Sequence, residues 1–300
     1  MAISQVRAMV NGTWHTLTYN SAAGRYEATI TAPGATSYNQ PGGYYNVSVE
    51  ATNTAGTTAT ADGASLPGLQ LVVREKVAPV ITILSPAGGA YVTNSKQPVV
   101  FTITDEAGGS GVDLSSLTVK LDGTAVAASA LASTAITNGY SVTYTPAAAL
   151  SDGSHTVTVD CVDHDGNAAA QKSTTFKVDT VPPTLNVTAP ADGLITNTTS
   201  LTVRGTTNDA TSSPVTVTVK LNGVDQGAVT VDAGGSFTKA LTLASGANTI
   251  EVTATDAAGK TSSVSRTVTL DTSVPTIQSA AITPNPVDAG ATMVISVVIA

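Results

Sequence analysis

Two short phrases recur along this chain, and their fixed spacing constrains the fold more than any other feature. The first phrase ends in Asn-Gly or Asp-Gly, and its copies are Val6-Arg-Ala-Met-Val-Asn-Gly12, Leu117-Thr-Val-Lys-Leu-Asp-Gly123 and Val217-Thr-Val-Lys-Leu-Asn-Gly223. The second phrase runs between two glycines that are always the same distance apart, and its copies occupy 43–56, 153–166 and 246–259. Self-similarity of this kind indicates tandem copies of one small fold. It argues against a single large enzyme core.

Residues in both phrases alternate between apolar and polar, as half-buried strands require. The residues of the second phrase that we predict to face a core are Val47, Val49 and Ala51, then Val157, Val159 and Cys161, then Ile250, Val252 and Ala254. Cys161 is therefore predicted to be inert packing, because a reactive thiol needs an electropositive, accessible setting. The Asn-Gly and Asp-Gly pairs favour tight hairpin turns. No segment has a convincing helical period, and the Ala-rich stretch 125–135 could form one short helical turn or a loop.

Bulk composition excludes several classes of function. Hydrophobic residues make up 42% of the chain, so it can bury a core. The net charge of −8 and the absence of basic clusters argue against binding to nucleic acid or an anionic membrane surface. Apolar runs fall short of the roughly 18 residues that a membrane helix needs.

The single cysteine excludes an internal disulfide, and the N-terminal sequence lacks the features of a secretory signal. We therefore expect folding in a cytoplasm and exit by another route, such as cell lysis. A piece of a longer secreted protein is the alternative.

Proline-containing linkers predict four parts. Module one (1–75) is a partial sandwich from strand C onward, module two is 76–180, module three is 181–272, and the C-terminal stub is 273–300 with strands A and B. Modules two and three approach the length of an immunoglobulin-type sandwich, which is about 100 residues. The second phrase forms the late strand of each module. A corner position lies two residues before the first core-facing residue of that strand, and we expect its side chain to hydrogen-bond to nearby backbone. Its occupants are Tyr45, His155 and Asn248. The predicted fold class is all-β, with tandem immunoglobulin-like sandwiches.

The linkers read Asp-Thr-Val-Pro-Pro at 179–183 and Asp-Thr-Ser-Val-Pro at 271–275, and Ala-Thr-Asp-Ala-Ala-Gly occupies 254–259. With these sequences the chain resembles the bacterial immunoglobulin-like (Big-type) repeats along nearly its whole length. The resemblance implies a sandwich fold, and a setting among bacterial surface adhesins or the tails and decorations of bacteriophages. It also implies calcium at some linkers, since large adhesins of this kind use calcium to stiffen them.

The two ends look like two halves of one sandwich. Module one opens on the first phrase and lacks strands A and B, whereas the stub supplies A and B strands alone. Burial of the apolar face of the stub would gain about 6–12 kcal/mol gross, and ordering the strand costs about 1–2 kcal/mol per residue. We hypothesise that the stub of one subunit completes module one of the next, which gives a ring or a filament. The alternatives are completion within one chain, or a smaller module one with a stub that packs locally or on another protein. The face consists of Met293, Ile295, Val297 and Ile299.

Acidic residues are predicted to meet where one module ends and the next begins. Calcium takes six to eight oxygen ligands in flexible geometry, so such clusters suit it. No cofactor is required by the sequence, and calcium is predicted at both junctions. The alternative is that these acids are turn formers and solvated charges. The set is Glu75, Asp105, Glu106, Asp163 and Asp165 at the first junction, and Asp179, Asp209 and Asp256 at the second.

Aromatic residues concentrate in module one, where Trp14, Tyr38 and Tyr44 are candidates for binding a sugar or a protein. The remaining tyrosines of module one fit strand or corner positions. Catalysis has little support. Ser110 lies in Gly-Gly-Ser-Gly, but Val112 stands where the last glycine of a nucleophile elbow would be. We predict that the protein is not an enzyme.

The predicted function is structural and adhesive, in a bacteriophage virion as part of a tail, a fibre or a capsid decoration. Assembly by strand completion and many weak surface contacts would supply avidity. The predicted partners are further copies of the chain, other virion or surface proteins, and cell-surface glycans. The alternative is a fragment of a bacterial surface adhesin or stalk, located at the cell surface. A further alternative is a carbohydrate-binding accessory module of an enzyme.

Overall fold

The computed structural model describes residues 2–300, which fold almost entirely into β-strands. The helical segments within this range are three 3₁₀ turns, at Pro41–Gly43, Pro67–Leu69 and Ala128–Ala130. No helix among these residues is long and apolar enough to span a membrane. The predicted all-β class is confirmed. The chain divides into two compact units, Met1–Thr180 and Val181–Ala300. The finer division into three modules and a stub stays a prediction.

Module one contains eight strands. They are β1 (Ile3–Val10), β2 (Thr13–Thr16), β3 (Thr18–Asn20), β4 (Arg25–Glu27), β5 (Tyr45–Asn46), β6 (Ser48–Asn53), β7 (Thr58–Ala61) and β8 (Gln70–Leu71). One antiparallel sheet has the order β2-β1-β6-β7, and β3 with β4 and β5 with β8 form two short pairs. Module one therefore has one main sheet, and its other strands form only two short pairs.

Module two is a complete two-sheet sandwich. Its strands are β9 (Val80–Ser85), β10 (Tyr91–Val92), β11 (Val99–Thr104), β12 (Val112–Leu121), β13 (Thr124–Ala125), β14 (Leu131–Ile136), β15 (Gly139–Tyr144), β16 (Gly153–Asp163) and β17 (Lys172–Val178). The sheets have the orders β10-β17-β16-β12-β13 and β14-β15-β11-β9. Strand β10 runs parallel to β17, whereas the other pairs are antiparallel. The Ala-rich stretch 125–135 forms the turn at Ala128–Ala130 and much of β14.

The second unit contains module three and the stub. Its strands are β18 (Thr184–Ala189), β19 (Leu194–Thr196), β20 (Ser200–Asn208), β21 (Thr216–Leu221), β22 (Val224–Asp225), β23 (Ser236–Thr242), β24 (Gly246–Thr255), β25 (Thr261–Leu270), β26 (Ile277–Thr283) and β27 (Val294–Ile299). Module three has the sheets β18-β20-β23 and β19-β25-β24-β21-β22, with β19 parallel to β25. Strands β26 and β27 form a separate antiparallel hairpin.

The two repeated phrases pair with each other in the same register three times. The strand of the first phrase lies beside the strand of the second: β1 beside β6, β12 beside β16, and β21 beside β24. The third residue of the first phrase faces the same position of the second in each copy. These pairs are Ala8 with Val49, Val119 with Val159, and Val219 with Val252. Module one therefore has the same central strand pair as the two complete sandwiches.

Each copy of the first phrase ends in a tight turn with positive φ at both central residues. Asn11, Asp122 and Asn222 have φ of 46°, 49° and 53°, and the glycine after each has φ of 79°, 81° and 82°. Asn and Asp tolerate the left-handed region and glycine enters it freely, which explains these residues at the hairpin ends.

Core burial separates module one from the others. In modules two and three the predicted core residues of the second phrase are 0–4% exposed, and Cys161 is among them. Burial and nearby carboxylates raise the pKa of the Cys161 thiol to about 11, so it stays protonated and inert at neutral pH. The equivalent Val47, Val49 and Ala51 of module one are only half-buried. In module two their counterparts pack against Val99, Phe101 and Ile103 of the opposite sheet.

The corner residues bond to nearby backbone in all three copies, as the sequence predicts. Each closes a loop of four to ten residues just before the late strand. The bonds run from Tyr45 Oη to the Ala35 carbonyl (3.1 Å), from His155 Nε2 to the Ser151 carbonyl (2.8 Å), and from Asn248 Nδ2 to the Ala244 carbonyl (2.7 Å).

In modules two and three the corner residue also bonds to the hairpin turn at the end of the first phrase. The two modules use different residue pairs for this bond. His155 Nδ1 lies 2.8 Å from Asp122 Oδ2, and Asn222 Nδ2 donates to Asn248 Oδ1 at 3.1 Å. Both partners of His155 are acceptors, so the ring makes both bonds only as an imidazolium. Burial disfavours that charge, but the bonds to Ser151 and Asp122 outweigh it and raise the pKa of His155. Burial also acts against the Asp122 carboxylate, but the Thr156 N–H and His155 lower its pKa.

We expect module two to lose stability above neutral pH, because the raised pKa makes the contribution of His155 full below about pH 6.5. That contribution is lost as pH rises through the folded pKa. The contribution of Asp122 is full above about pH 3.9 and is lost as pH falls through its own folded value. The change of charge at this half-exposed pair should be worth about 1 kcal/mol, or roughly 4–8 °C in the melting temperature of a domain this size.

The double variant His155→Asn with Asp122→Asn copies the pair of module three, and its melting should not show this pH dependence. Calorimetry of the full chain between pH 4 and 9 provides the measurement, with His15→Asn as a matched control that keeps the dependence. An unchanged pH profile in the double variant would contradict the assignment.

Candidate metal centre and binding surfaces

Three carboxylates converge where module one meets module two. Glu75 follows β8 on the linker, and Asp105 and Glu106 directly follow β11. One oxygen from each of these side chains lies within 4.8 Å of the other two. Immunoglobulin-type topology explains the meeting, because the end of one module approaches the loop that follows strand B of the next.

Two oxygens of this cluster are buried and lack a hydrogen-bond partner among residues 2–300. They are Asp105 Oδ1 and Glu106 Oε2, and Asp105 as a whole is 7% exposed. The other Asp105 oxygen, Oδ2, accepts the Gly111 N–H at 2.7 Å. Burial raises the pKa of Glu106, and the neighbouring Asp105 and Glu75 carboxylates raise it further. The cluster therefore concentrates negative charge without enough donors to satisfy it.

Glu75 is held in place from several sides. Its Oε1 accepts the Ser110 hydroxyl at 3.1 Å and its Oε2 accepts the Val77 N–H at 2.6 Å. Its carbonyl oxygen accepts Asn167 Nδ2 at 3.2 Å. Ser110 is thus a structural group of the junction, and its hydroxyl also accepts the Asp165 N–H. The arrangement fits a hard divalent cation, which the unpartnered oxygens of Asp105 and Glu106 and the Glu75 carboxylate would hold.

The other two predicted ligands of the first junction are engaged elsewhere. Asp163 accepts the Asn167 N–H and Asn167 Nδ2, both at 2.8 Å. Burial opposes the Asp163 charge, but these bonds lower its pKa. Asp165 Oδ2 accepts the Thr36 hydroxyl at 2.5 Å and the Glu75 N–H at 3.0 Å. Asp165 therefore ties module one to module two. The sequence shows no pattern that separates these satisfied acids from the unpartnered ones.

Of the acids at the second predicted junction, Asp179 belongs to the first unit, and Asp209 and Asp256 belong to the second. Asp179 follows β17 and its N–H donates to the Val92 carbonyl. Asp209 Oδ1 accepts the N–H groups of Thr211 and Ser212, at 2.8 and 2.7 Å. Asp256 Oδ1 accepts the Lys260 N–H at 2.8 Å, and its Oδ2 is buried without a hydrogen-bond partner in the described part of the chain. Calcium at this junction stays a prediction.

Trp14 lies on β2 and is 41% exposed. The Arg7 guanidinium carbon lies 4.3 Å from the centroid of its ring. Arg7 Nη2 in turn lies 3.0 Å from both carboxylate oxygens of Glu50. Trp14 lines a cleft of about 480 Å³ with Met9, Ser48 and residues of the loop after β7.

The other two aromatic candidates lie in different surroundings. Tyr38 stacks on His164 of module two, with ring centroids 4.4 Å apart and planes 8° from parallel. It lines a cleft beside Asp105 and Glu106, separate from the cleft of Trp14. The Tyr44 ring lies against Gly42, where a Cβ would come within 2.9 Å of it. Tyr38 thus belongs to the junction, and its partner His164 was not among the predicted site residues.

The hairpin of the stub carries one apolar and one mixed face. Cross-strand pairing of β26 and β27 puts Ile282 opposite Ile295, Ala280 opposite Val297, and Ile277 opposite Ile299. The reverse face contains Val294, Ser296 and Val298 opposite Thr283, Ala281 and Ser279. Exposure of the isoleucines and Val297 on the apolar face is 44–66%. The predicted apolar face is therefore present, and within the described chain it is exposed.

Comparisons with known families agree with the architecture. Residues 87–180 match the family model described as bacterial Ig-like domain, and residues 183–272 match glucodextranase, domain B. No curated protein matches the chain significantly.

The solved structures to which the chain is similar include fibronectin(III)-like and immunoglobulin modules. The fibronectin(III)-like modules of CbhA from Clostridium thermocellum are 20% identical, covering 64% of this chain and 94% of that one, with a TM-score of 0.40. Sidekick-1 immunoglobulin domains 1–4 are 14% identical, covering 89% of this chain and 67% of that one, with a TM-score of 0.37. These similarities carry no argument about function. The chain thus contains one segment similar to the bacterial Ig-like domain family, at 87–180, and one similar to glucodextranase domain B, at 183–272, on an all-β fold.

Proposed function

We propose that this protein is a non-catalytic structural component of a bacteriophage virion, located in a tail, a fibre or a capsid decoration. Repeated sandwiches supply a stiff display element, and many copies on one particle give avidity from weak single contacts. The alternative is part of a bacterial surface adhesin or stalk. Flanking genes separate the two: capsid or tail genes favour the virion, and a signal or wall-anchor sequence favours the adhesin.

The observation that carries the structural role is the mismatch between the stub and module one. The stub places Ile295 and Val297 on an exposed apolar face, whereas the equivalent strand β11 of module two has Val99, Phe101 and Ile103 at 0% exposure. In module one the strands that such a hairpin would cover are present: Val49 and Ala51 of β6 are half-buried, whereas Val6, Ala8 and Val10 of β1 are already buried. A lone two-stranded hairpin is marginal in water, so a partner sheet would stabilise it. We propose that the stub of one copy covers module one of another.

We expect the full chain to form rings or filaments in a concentration-dependent way, and the chain of residues 1–272 to stay monomeric. Light scattering across concentration measures both masses. Two neighbouring substitutions give a matched pair, because Val297 and Val298 are 49% and 52% exposed on opposite faces. Val297→Asp should abolish association, and Val298→Asp should retain it. If all four proteins are monomeric, completion between copies is wrong, and the stub face is covered by something else.

Calcium at the first junction is a second part of the proposal. The unpartnered buried oxygen of Asp105, together with the pKa of Glu106 raised by burial and like charges, supports a cation between the two modules. A cation there would remove the repulsion among the carboxylates and fix the linker angle. The proposed site consists of Glu75, Asp105 and Glu106, with oxygens of adjacent loops or water completing the coordination.

Calcium should raise the melting temperature of the first unit, since a ligand at 100 times its dissociation constant adds about 2.7 kcal/mol. Without calcium, the raised pKa of Glu106 makes stability depend on pH. The contribution of Glu106 to stability is full at low pH and is lost as pH rises through the folded pKa. Asp105→Asn should abolish the calcium response and, in a chelator, melt higher than the wild type. The exposed Glu251→Gln is the control that keeps the response. A melting temperature indifferent to calcium in the wild type would remove this site.

A further inference from the structure

The outer face of the module-one sheet gathers an unusual set of side chains. In the antiparallel register Met9 pairs with Trp14 on one side and with Ser48 on the other, and Arg7 pairs with Glu50. Directly paired residues point to the same face of a sheet, so all five share one side. The neighbours Val6, Ala8 and Val10 occupy the other side and are at most 9% exposed. Trp14 and the four residues around it therefore lie on the face that a covering hairpin would leave free.

The indole of Trp14 is held in a fixed orientation. Arg7 packs over the ring at 4.3 Å, and the Glu50 carboxylate holds Arg7 through contacts of 3.0 Å to both of its oxygens. A ring fixed before binding loses little conformational entropy on contact with a ligand. With 41% of its surface exposed, Trp14 offers a rigid apolar area amid small polar side chains.

Polar side chains also line the cleft that contains Trp14. The cleft of about 480 Å³ is lined by Met9, Trp14, Ser48, Glu50, Asp62 and Ser65, among others. Hydrogen bonds from the Ser65 N–H and hydroxyl, and from the Ala64 N–H, lower the pKa of Asp62, so its carboxylate stays ionised at neutral pH. The Asp62 and Glu50 carboxylates can accept hydrogen bonds from sugar hydroxyls, and the Ser48 hydroxyl can donate to a ring or linkage oxygen.

We propose that this cleft binds a neutral hexopyranose unit of a cell-surface glycan. The apolar C–H face of a sugar ring lies on Trp14, and its hydroxyls meet the polar rim. The charges in and around the cleft favour a neutral sugar over a charged one, for two reasons. The carboxylates of the cleft and the net charge of −8 oppose anionic sugars. Arg7 already lies over one face of the Trp14 ring, so the sugar would lie on the opposite face, where the guanidinium charge opposes a cationic sugar. The inference gives a ligand class to the weak surface contacts of the proposed function, and it requires no assembly.

Trp14 is the only tryptophan of the chain, so intrinsic fluorescence reports on this cleft alone. We would titrate the full-length Val297→Asp chain with neutral gluco-, manno- and galacto-oligosaccharides, with sialyllactose and a chitosan oligomer as charged probes. At least one neutral series should shift the emission and saturate with a dissociation constant on the order of 1 mM. Because that variant removes the stub contact, failure of assembly and failure of sugar binding are observed separately.

Variants then test the contacts. Asp62→Asn should weaken the neutral sugar at least fivefold, and Tyr19→Ala, at an exposed tyrosine outside the cleft, should leave it unchanged. Trp14→Ala lacks the reporter, so its loss of binding is measured on a glycan array after circular dichroism confirms folding. The proposal is overturned if no neutral glycan changes the emission, if a charged probe binds more tightly, or if Asp62→Asn and Trp14→Ala both bind as the wild type does.

Discussion

The fold depends on the burial of one face of each strand against a second sheet. In module two Val157 and Val159 are fully buried against Val99 and Phe101, and in module three Ile250 and Val252 are equally buried. The period of two between inward and outward residues fixes the register of each strand, because a slip of one residue would expose the whole core face. The loops, turns and clefts take their positions from this arrangement. Where the second sheet is reduced, as in module one, burial of this face is incomplete: Val6, Ala8 and Val10 of β1 are buried, but Val49 and Ala51 of β6 are only half-buried.

Polar chemistry concentrates where modules end, because the sandwich interiors exclude it. At the first junction the Thr36 hydroxyl and the Glu75 N–H share one carboxylate oxygen of Asp165, while Asn167 binds both Asp163 and the Glu75 backbone. These bonds order the linker without any ion. The unpartnered Asp105 oxygen then stands out, since buried polar atoms in folded proteins rarely lack a partner. A junction can thus be ordered by hydrogen bonds and still contain a buried carboxylate oxygen that lacks a donor.

Much of the fold could be predicted from sequence, because strand alternation and turn residues are local signals. The repeated phrases predicted the strands themselves, the Asn-Gly and Asp-Gly turns, and the backbone bonds of Tyr45, His155 and Asn248. The state of each junction acid could not be predicted, because it depends on contacts between loops far apart in sequence. Asp165 is satisfied by Thr36, 129 residues away, whereas the similar Asp105 keeps one oxygen unpartnered. The Arg7–Trp14 stack was missed for the same reason, since it needs the cross-strand register.

The parallel strand pairs have a mechanical consequence. In module two the short β10 near the start of the module runs beside β17 at its end, with Tyr91 opposite Lys177 and Val92 opposite Val178. Module three repeats this with β19 and β25. A pull on the two ends of either module would slide these strands past each other, so their hydrogen bonds carry the load together rather than opening one by one. Antiparallel strands joined at a hairpin would instead peel apart in sequence. In each of these modules the strand pair therefore opposes tension along the chain.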